Sequence, residues 1–451
     1  MDTKNAKIEL FENTKPAKAL AIMAIPTVAS QLIILLYNLA DTWFIGRTDN
    51  SYMVGASSLG LTVYLAETAL ANVFGVGGGA LMVRLLGEKK EEAARKVASY
   101  TVAMAAISGF VFCLLILFLL EPILQLLGAS ENTMPYAKQY VLTTCVIGGI
   151  PTIMSMCMSQ LLRNAGYAKE SGFGVGFGSL LNVALDPLFM FVLLPEGDEV
   201  LGAGIATMIS SFCSFAYFIV KFRKLKDRTV LTIPRKLERP EKGCLKSLYM
   251  VGVPAAVSIF LFDLVTIVIN RITVSYGDIR LASMGIVLKL ERIPINVGLG
   301  ICLGMVPLVA YNYGAGNIPR MKKFVSLARI SILAFSLICV AAFWFFPESI
   351  VGLFIKNEAT ITPGAEILQA RCLSLPFMMI GYHIVNYMNA VNKGQISFIL
   401  AIVRHIVLII PIMLLMNSIW GWTGLIWSQL VADSLNVLIA GIIFMKHSIR
   451  E

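Results

Sequence analysis

Residues 221–246 read KFRKLKDRTVLTIPRKLERPEKGCLK, the one long polar stretch in a chain of 451 residues. Ten of its side chains are Lys or Arg, and on either side of it the sequence turns strongly apolar. Overall 57% of the residues are hydrophobic, only 14% are charged, and the mean hydropathy is +0.78. An ordinary soluble domain carries roughly 25% charged residues, so this chain needs lipid as its solvent. A bilayer core of about 30 Å takes roughly 20 apolar residues per helix. Twelve segments meet that requirement, near 17–45, 52–84, 93–120, 134–161, 170–194, 200–222, 247–275, 281–311, 325–346, 363–390, 394–416 and 422–445. Six precede the polar stretch and six follow it. The expected fold is therefore an all-α integral membrane protein of twelve transmembrane helices in two six-helix lobes. The lobes are 1–222 and 247–451, joined by a cytoplasmic basic linker at 223–246.

The connecting segments alternate in charge. Positive side chains gather in the N-terminal tail (Lys4, Lys7, Lys15, Lys18), the second-to-third connection (Arg84, Lys89, Lys90, Arg95, Lys96), Arg163 and Lys169, and the central linker. They continue at Arg320, Lys322, Lys323 and Arg329, at Lys393, and at Lys446 and Arg450. The opposite connections hold only Arg47, Lys138, Arg280 and Lys356. The positive-inside rule places both termini in the cytoplasm, which requires an even number of spans. The net charge of +10 is thereby assigned to topology and anionic lipid, and no nucleic-acid partner is expected. The N-terminus has no apolar run ending in a small-residue cleavage site, so the first span is expected to direct insertion. The eight cysteines include no Cys-x-x-Cys pair and read as buried hydrophobes.

The halves resemble each other. IPTVASQLIILLYN in the first span parallels VPAAVSIFLFDLVT in the seventh, and Glu67 with Asn72 recurs as Glu291 with Asn296 at an offset of 224. Repeats of six spans share one orientation, so their pseudo-twofold axis runs along the membrane normal, with a substrate site expected between the lobes.

Ionisable groups in hydrocarbon cost roughly 2.5 to 3.5 kcal/mol each, so every one calls for a partner or a function. The acids within spans are Asp41, Glu67, Asp186, Asp263, Glu291 and Asp433. Asp41 lies 15 residues past Pro26, roughly 22 Å along the helix, in the half of the membrane away from the termini. Tyr37 is one turn earlier. Asn182 and Asp186, four residues apart, share one helical stripe. An oxygen-rich pocket of carboxylates, amide and hydroxyls can hold a hard monovalent cation or share protons. In the second half, Asp263 and Glu291 are candidates for either function or simple charge neutralisation, for instance by an ion pair of Asp263 with Lys289. Glu67 and Asp433 read as structural. Pro26 is expected to bend the first helix by removing a backbone hydrogen bond.

QLIILLYNLADTWFIGR, GGGALMVRLLGEKKEEAARK, LLRNAGYAKES and SLLNVALDPLFMF together resemble the multidrug and toxic compound extrusion (MATE) family, most nearly its MepA-like and DinF-type bacterial members. The resemblance spans essentially the whole chain. It implies a secondary active antiporter of the bacterial cytoplasmic membrane, exchanging H⁺ or Na⁺ for cationic amphiphilic drugs, not an enzyme, monomeric, and with no cofactor besides the coupling ion. It maps a cation or proton site, including any Na⁺, onto Asp41, Asn182, Asp186 and Thr207, with Tyr37 and Tyr140 in the network. It also links a bend of the first helix at Pro26 to protonation. Some relatives carry a carboxylate in the seventh span, near Asp263 but not matching it. Met154 and Met158 in the fourth span, with Met378 and Tyr382 in the tenth, offer polarizable walls suited to aromatic cations, although such residues more often only pack. No phosphate-binding Gly-x-x-x-x-Gly-Lys-Ser/Thr motif is present, so ATP does not drive the process. The rival reading is a lipid-linked saccharide flippase of the same superfamily, for which Arg271, Lys289, Arg292, Arg371 and Arg404 would supply cavity charge. Three scattered histidines, His383, His405 and His447, offer no catalytic cluster for a membrane transferase.

Overall fold

The computed structural model describes residues 3–48, 50–233 and 238–448. Arg235, Lys236 and Arg450 of the basic groups lie outside the described residues. Among these residues the elements are helical throughout. The spans are α1 (Pro16–Gly46), α2 (Ser51–Gly87), α3 (Glu91–Leu126), α4 (134–164), α5 (Ala168–Leu193), α6 (Glu199–Leu225), α7 (Lys242–Val274), α8 (Asp278–Gly314), α9 (Ile318–Phe345), α10 (358–390), α11 (394–420) and α12 (422–448). Four crossings are less obvious than the rest. The α4 span bends by 49° between Ile147 and Gly149, and α10 is built from Glu358–Cys372 and Leu375–Ala390. The helical stretch Gly394–Lys446 has 53 residues, about 80 Å, far more than one crossing needs. Gly421 breaks it, with φ 57° and ψ −133°, a backbone conformation costly to any residue with a Cβ. The result is the twelve-helix, two-lobed fold.

The sequence ends its helices where expected. Asn50, Asn317 and Asn357 cap α2, α9 and α10, each side chain accepting from a backbone N–H two or three residues on. Left-handed residues make the short turns after α2 (Lys89), α4 (Gly166), α8 (Gly316) and α10 (Asn392), so the same turn recurs in the same place in each lobe.

The structure corrects the repeat register. Helices α2 and α8 are both 37 residues long, beginning at Ser51 and Asp278 and ending at Gly87 and Gly314. Their offset is therefore 227, one helical turn from the 224 suggested by Glu67 and Glu291, which lie on similar faces but not at equivalent positions. Two like acids one turn apart satisfy the same apolar pattern, so the pattern alone misplaces the register.

With the register corrected, the lobe interface is symmetric. A Cβ on Gly77 of α2 would lie 2.3 Å from the Leu248 carbonyl oxygen and 3.0 Å from the Gly252 nitrogen of α7. Its counterpart Gly304 of α8 approaches Ala24 of α1 within 2.7 Å in the same sense. Nearer the termini, Gly87 packs on the Tyr311 carbonyl and Gly314 on that of Arg84. Only a missing side chain lets helices come this close. A buried apolar cluster of Met23, Ala24, Val83, Met305, Leu308 and Val309 crosses from lobe to lobe at this end. Arg84 also donates to Ser247 at 3.1 Å, and Ser247 to Asn392, tying α2, α7 and the α10–α11 turn together. The lobes thus close on the side where both termini lie.

A short helix, Thr3–Glu12, precedes α1 and docks on the opposite lobe. Phe11 stacks on Tyr311 at 4.8 Å, the Tyr311 hydroxyl donates to Glu12 at 2.7 Å, and Arg320 Nε donates to the Phe11 carbonyl at 2.8 Å. In space the first lobe begins at α1, and the residues before it strap α8 and α9. Between α6 and α7, Val230 and Leu231 tuck into the first lobe's core.

Candidate cation-coupling site

Inside the first lobe, α1, α5 and α6 meet around two acids. Small residues permit the approach: a Cβ on Gly172 of α5 would sit 2.7 Å from the Pro26 carbonyl of α1, and one on Gly178 would sit 3.0 Å from Ser214 of α6. Helix α1 runs through Pro26 as one element. Thr27 Oγ1 donates to the Met23 carbonyl at 2.7 Å and Ser30 Oγ to that of Thr27 at 2.8 Å, supplying local hydrogen bonds beside the imino acid.

Asp186 is fully buried and Asn182 nearly so. The Asn182 amide has Thr207 Oγ1 at 3.1 Å on one side and Asp186 Oδ2 at 3.1 Å on the other. Directing its nitrogen toward the carboxylate and its oxygen toward the Thr207 hydroxyl and backbone N–H satisfies all three groups, and the network fixes that assignment. Tyr37 sits against Thr207, and both Tyr37 and Tyr140 lie within electrostatic reach of Asp41 and Asp186. Tyr140 is seated by Gly60, whose hypothetical Cβ would fall 2.3 Å from its ring. Asp41 Oδ1 is buried yet has no hydrogen-bond partner. Thus Asp41, Asn182, Asp186, Thr207, Tyr37 and Tyr140 converge, with an unused buried acceptor among them. An oxygen pocket of this kind suits a proton or a small hard cation, since an unpartnered buried carboxylate oxygen costs several kcal/mol until something binds it. The second lobe has no copy: counting from Pro26 and Pro254, Asp41 falls on Ile269, and Asp186 falls on the apolar run Ile412 to Leu414.

The second lobe holds a different arrangement around a cavity of about 60 Å³. Glu291 accepts from Arg371 through two bonds, Nε to Oε1 at 2.7 Å and Nη2 to Oε2 at 2.9 Å. Asp433 accepts from Arg404 Nε at 2.9 Å and from Gln429 Nε2 at 2.6 Å. Arg404 also lies over the Tyr382 ring, 4.8 Å from its centroid. The charge beside Asp263 is Arg292, not Lys289 as expected, because Arg292 stacks on Phe262 one residue away. Arg371 and Arg404 were visible in the sequence as isolated positives. Their partners were not, since 80 and 29 residues separate the members of each pair. Both arginines are committed to carboxylates, so neither offers free charge to a pyrophosphate; of the five candidates Arg271, Lys289 and Arg292 are exposed.

Among the cavity-wall candidates, Met378 lines the second-lobe cavity, whereas Tyr382 meets it only through Arg404, which lies over its ring. Met154 and Met158 pack in the first lobe's core with Ile153, Leu161 and Leu162. His383 is bonded to the Val325 carbonyl at 2.9 Å and His405 to that of Ala401 at 2.9 Å, both as core residues. His447 falls where no side chain is described. The cysteines are free thiols.

Two pseudo-symmetric lobes, closed at one end, with a buried acid cluster in one of them, define a multi-span membrane transporter rather than an enzyme. The chain belongs to the MATE family: the MatE family model matches it twice, at 26–188 and 254–415, once in each lobe. It is 31% identical over 440 residues to the multidrug export protein MepA of Staphylococcus aureus (strain NCTC 8325 / PS 47), covering 98% of this chain and 96% of that protein. The fold is shared with the MATE transporter VcmN of Vibrio cholerae, with a TM-score of 0.90 at 21% identity over 99% of both chains. It is also shared with a MATE transporter crystallised in its straight conformation, with a TM-score of 0.89 at 22% identity, over 97% of this chain and 98% of that one.

Proposed function

We propose that this protein exports cationic amphiphilic drugs across the bacterial cytoplasmic membrane as an antiporter driven by H⁺ or Na⁺. The observation that carries the coupling is the buried convergence of Asp41, Asp186, Asn182 and Thr207, with Asp41 Oδ1 unpartnered. Full-length similarity to a multidrug export protein supports drug export. Charge alternation along the chain supports cytoplasmic termini. On that orientation the lobes close on the cytoplasmic side. Cation binding neutralises the acids, and the packing of α1 on α5 responds. A bend of α1 at Pro26, whose carbonyl already abuts Gly172, is the readiest response.

Energetics favour two acids. One proton exchanged for one monovalent drug cation is electroneutral and gains about 1.4 kcal/mol per pH unit. A second proton adds net charge movement, worth about 2.3 kcal/mol per 100 mV.

The test is ethidium efflux in cells or inverted vesicles, with Na⁺ and pH gradients imposed separately, for wild type, Asp41→Asn and Asp186→Asn. Both variants are expected to lose gradient-driven efflux, and the gradient that drives wild type names the ion. Undiminished efflux in both would overturn the site.

A further inference from the structure

We propose that Glu67 is a second proton-binding site, one that takes up and releases a proton during the transport cycle; the inference rests on the antiport reading with H⁺ as a coupling ion. Glu67 sits near the middle of α2 with no exposed surface, and neither carboxyl oxygen accepts from a nitrogen or hydroxyl donor; the one weak donor beside it is the Cys145 thiol. Titratable groups from each helix packed around it are Tyr64 on α2, Cys113 on α3 and Cys145 on α4. None is a cation.

The other lobe, whose acid lies one turn away along the corresponding helix, shows how a buried carboxylate there is held. There the α8 carboxylate of Glu291 is held by the guanidinium of Arg371 on α10. Arg371 lies 21 residues before the left-handed turn residue Asn392, and the residue 21 before the equivalent Gly166 is Cys145. Where the second lobe places a cation beside its buried acid, the first places a neutral thiol. An ionised carboxylate with no cation and only a weak thiol donor in a membrane interior is far costlier than a neutral acid, so in this conformation Glu67 carries its own proton.

Its surroundings give the proton a reason to move. Glu67 faces the bend of α4: a Cβ on Gly149 would lie 2.9 Å from Oε1, and the 49° bend falls between Ile147 and Gly149. Wide turns over Leu142–Ile147 and the imino acid Pro151 loosen the backbone hydrogen bonding there. Rearrangement of that bend exposes backbone N–H groups to the carboxylate, the ligands Glu67 lacks here. Tyr64, one turn away on α2, lies within electrostatic reach of both Glu67 and Asp41. In the outward-accessible state the carboxyl gains a proton from external water. In the opposite state the O–H bond breaks heterolytically, and the proton passes to cytoplasmic water.

The test measures how many protons set the steady-state ethidium gradient in proteoliposomes, with the membrane potential clamped at zero and the pH difference varied. The logarithm of the accumulation ratio rises with the pH difference with a slope equal to the protons exchanged. Glu67→Gln, which mimics the neutral acid, is expected to lower that slope by one, about a tenfold smaller ratio at one pH unit. Glu67→Asp is expected to keep the wild-type slope. A purely structural role slows transport without changing the slope, so a wild-type slope in Glu67→Gln overturns the proposal. Wild-type accumulation driven by Na⁺ alone would overturn it while leaving antiport standing; accumulation driven by neither gradient would overturn both. Should Glu67→Gln fail to transport, protons released per ethidium bound are read on the purified protein in weakly buffered detergent. One fewer than wild type upholds the site, and an equal number refutes it.

Discussion

Replacing Arg371 by Met separates structural from functional charge in the second lobe. The Arg371–Glu291 pair is bidentate, at 2.7 and 2.9 Å, and its side chains are only 6% and 7% exposed. Arg371→Met keeps most of the aliphatic stem and leaves Glu291 buried without its cation. Removing one partner of a buried pair typically costs 3 to 5 kcal/mol, because the survivor has been stripped of water and has nothing to replace it. At about 2 °C per kcal/mol, the low end for large domains, the apparent Tm falls by roughly 6 to 10 °C. The assay is thermal unfolding of purified protein in detergent followed by tryptophan fluorescence, for Arg371→Met, Glu291→Leu and the double variant. Replacing both charges removes the unmet demand, so the double variant recovers most of the loss. A drop under about 2 °C for Arg371→Met, or a double variant as unstable as Arg371→Met alone, would refute the account of the pair as mutual neutralisation.

Other outcomes follow from particular contacts. Gly252→Ala places a Cβ 1.9 Å from the Val73 carbonyl, a backbone atom that cannot rotate away. It is expected to weaken the closed end by about 1 to 3 kcal/mol and to depress ethidium transport, whereas Gly243→Ala, with open space around it, leaves transport unchanged. Thr207→Val keeps the shape but removes the hydroxyl bonded to Asn182. The half-saturating concentration of the coupling cation, read from initial efflux rates, should rise about fivefold at roughly 1 kcal/mol per lost hydrogen bond. Phe11→Ala removes the ring stacked on Tyr311. Limited proteolysis should then cut faster near Asn13 and Thr14 as the N-terminal helix leaves α8, with the spans staying intact.

The candidate site shows where legibility ended. Asp41, Asn182 and Asp186 stood out because a polar group in hydrocarbon is expensive, and i to i+4 spacing aligned two of them. Their convergence with Thr207 and Tyr140 was carried by resemblance, since contacts across α1, α5 and α6 leave no local pattern. Glu67 read as structural for the same reason: a lone acid in a span does not reveal whether a cation faces it.

What the sequence by itself determined is the membrane class, the twelve spans and the division at 221–246, because hydrocarbon imposes its length and polarity on every crossing independently of the neighbours. The tertiary structure decided three things. It set the register of the repeat, one turn from the apparent match, because glycines pack by shape at Gly77 and Gly304 rather than by polarity. It set the docking of the N-terminal helix across the lobes. It also settled which buried acids are answered by a cation, Glu291 and Asp433, and which are not, Asp41, Glu67 and Asp186. Such pairings join residues far apart in the chain, and only packed helices bring them within a hydrogen bond.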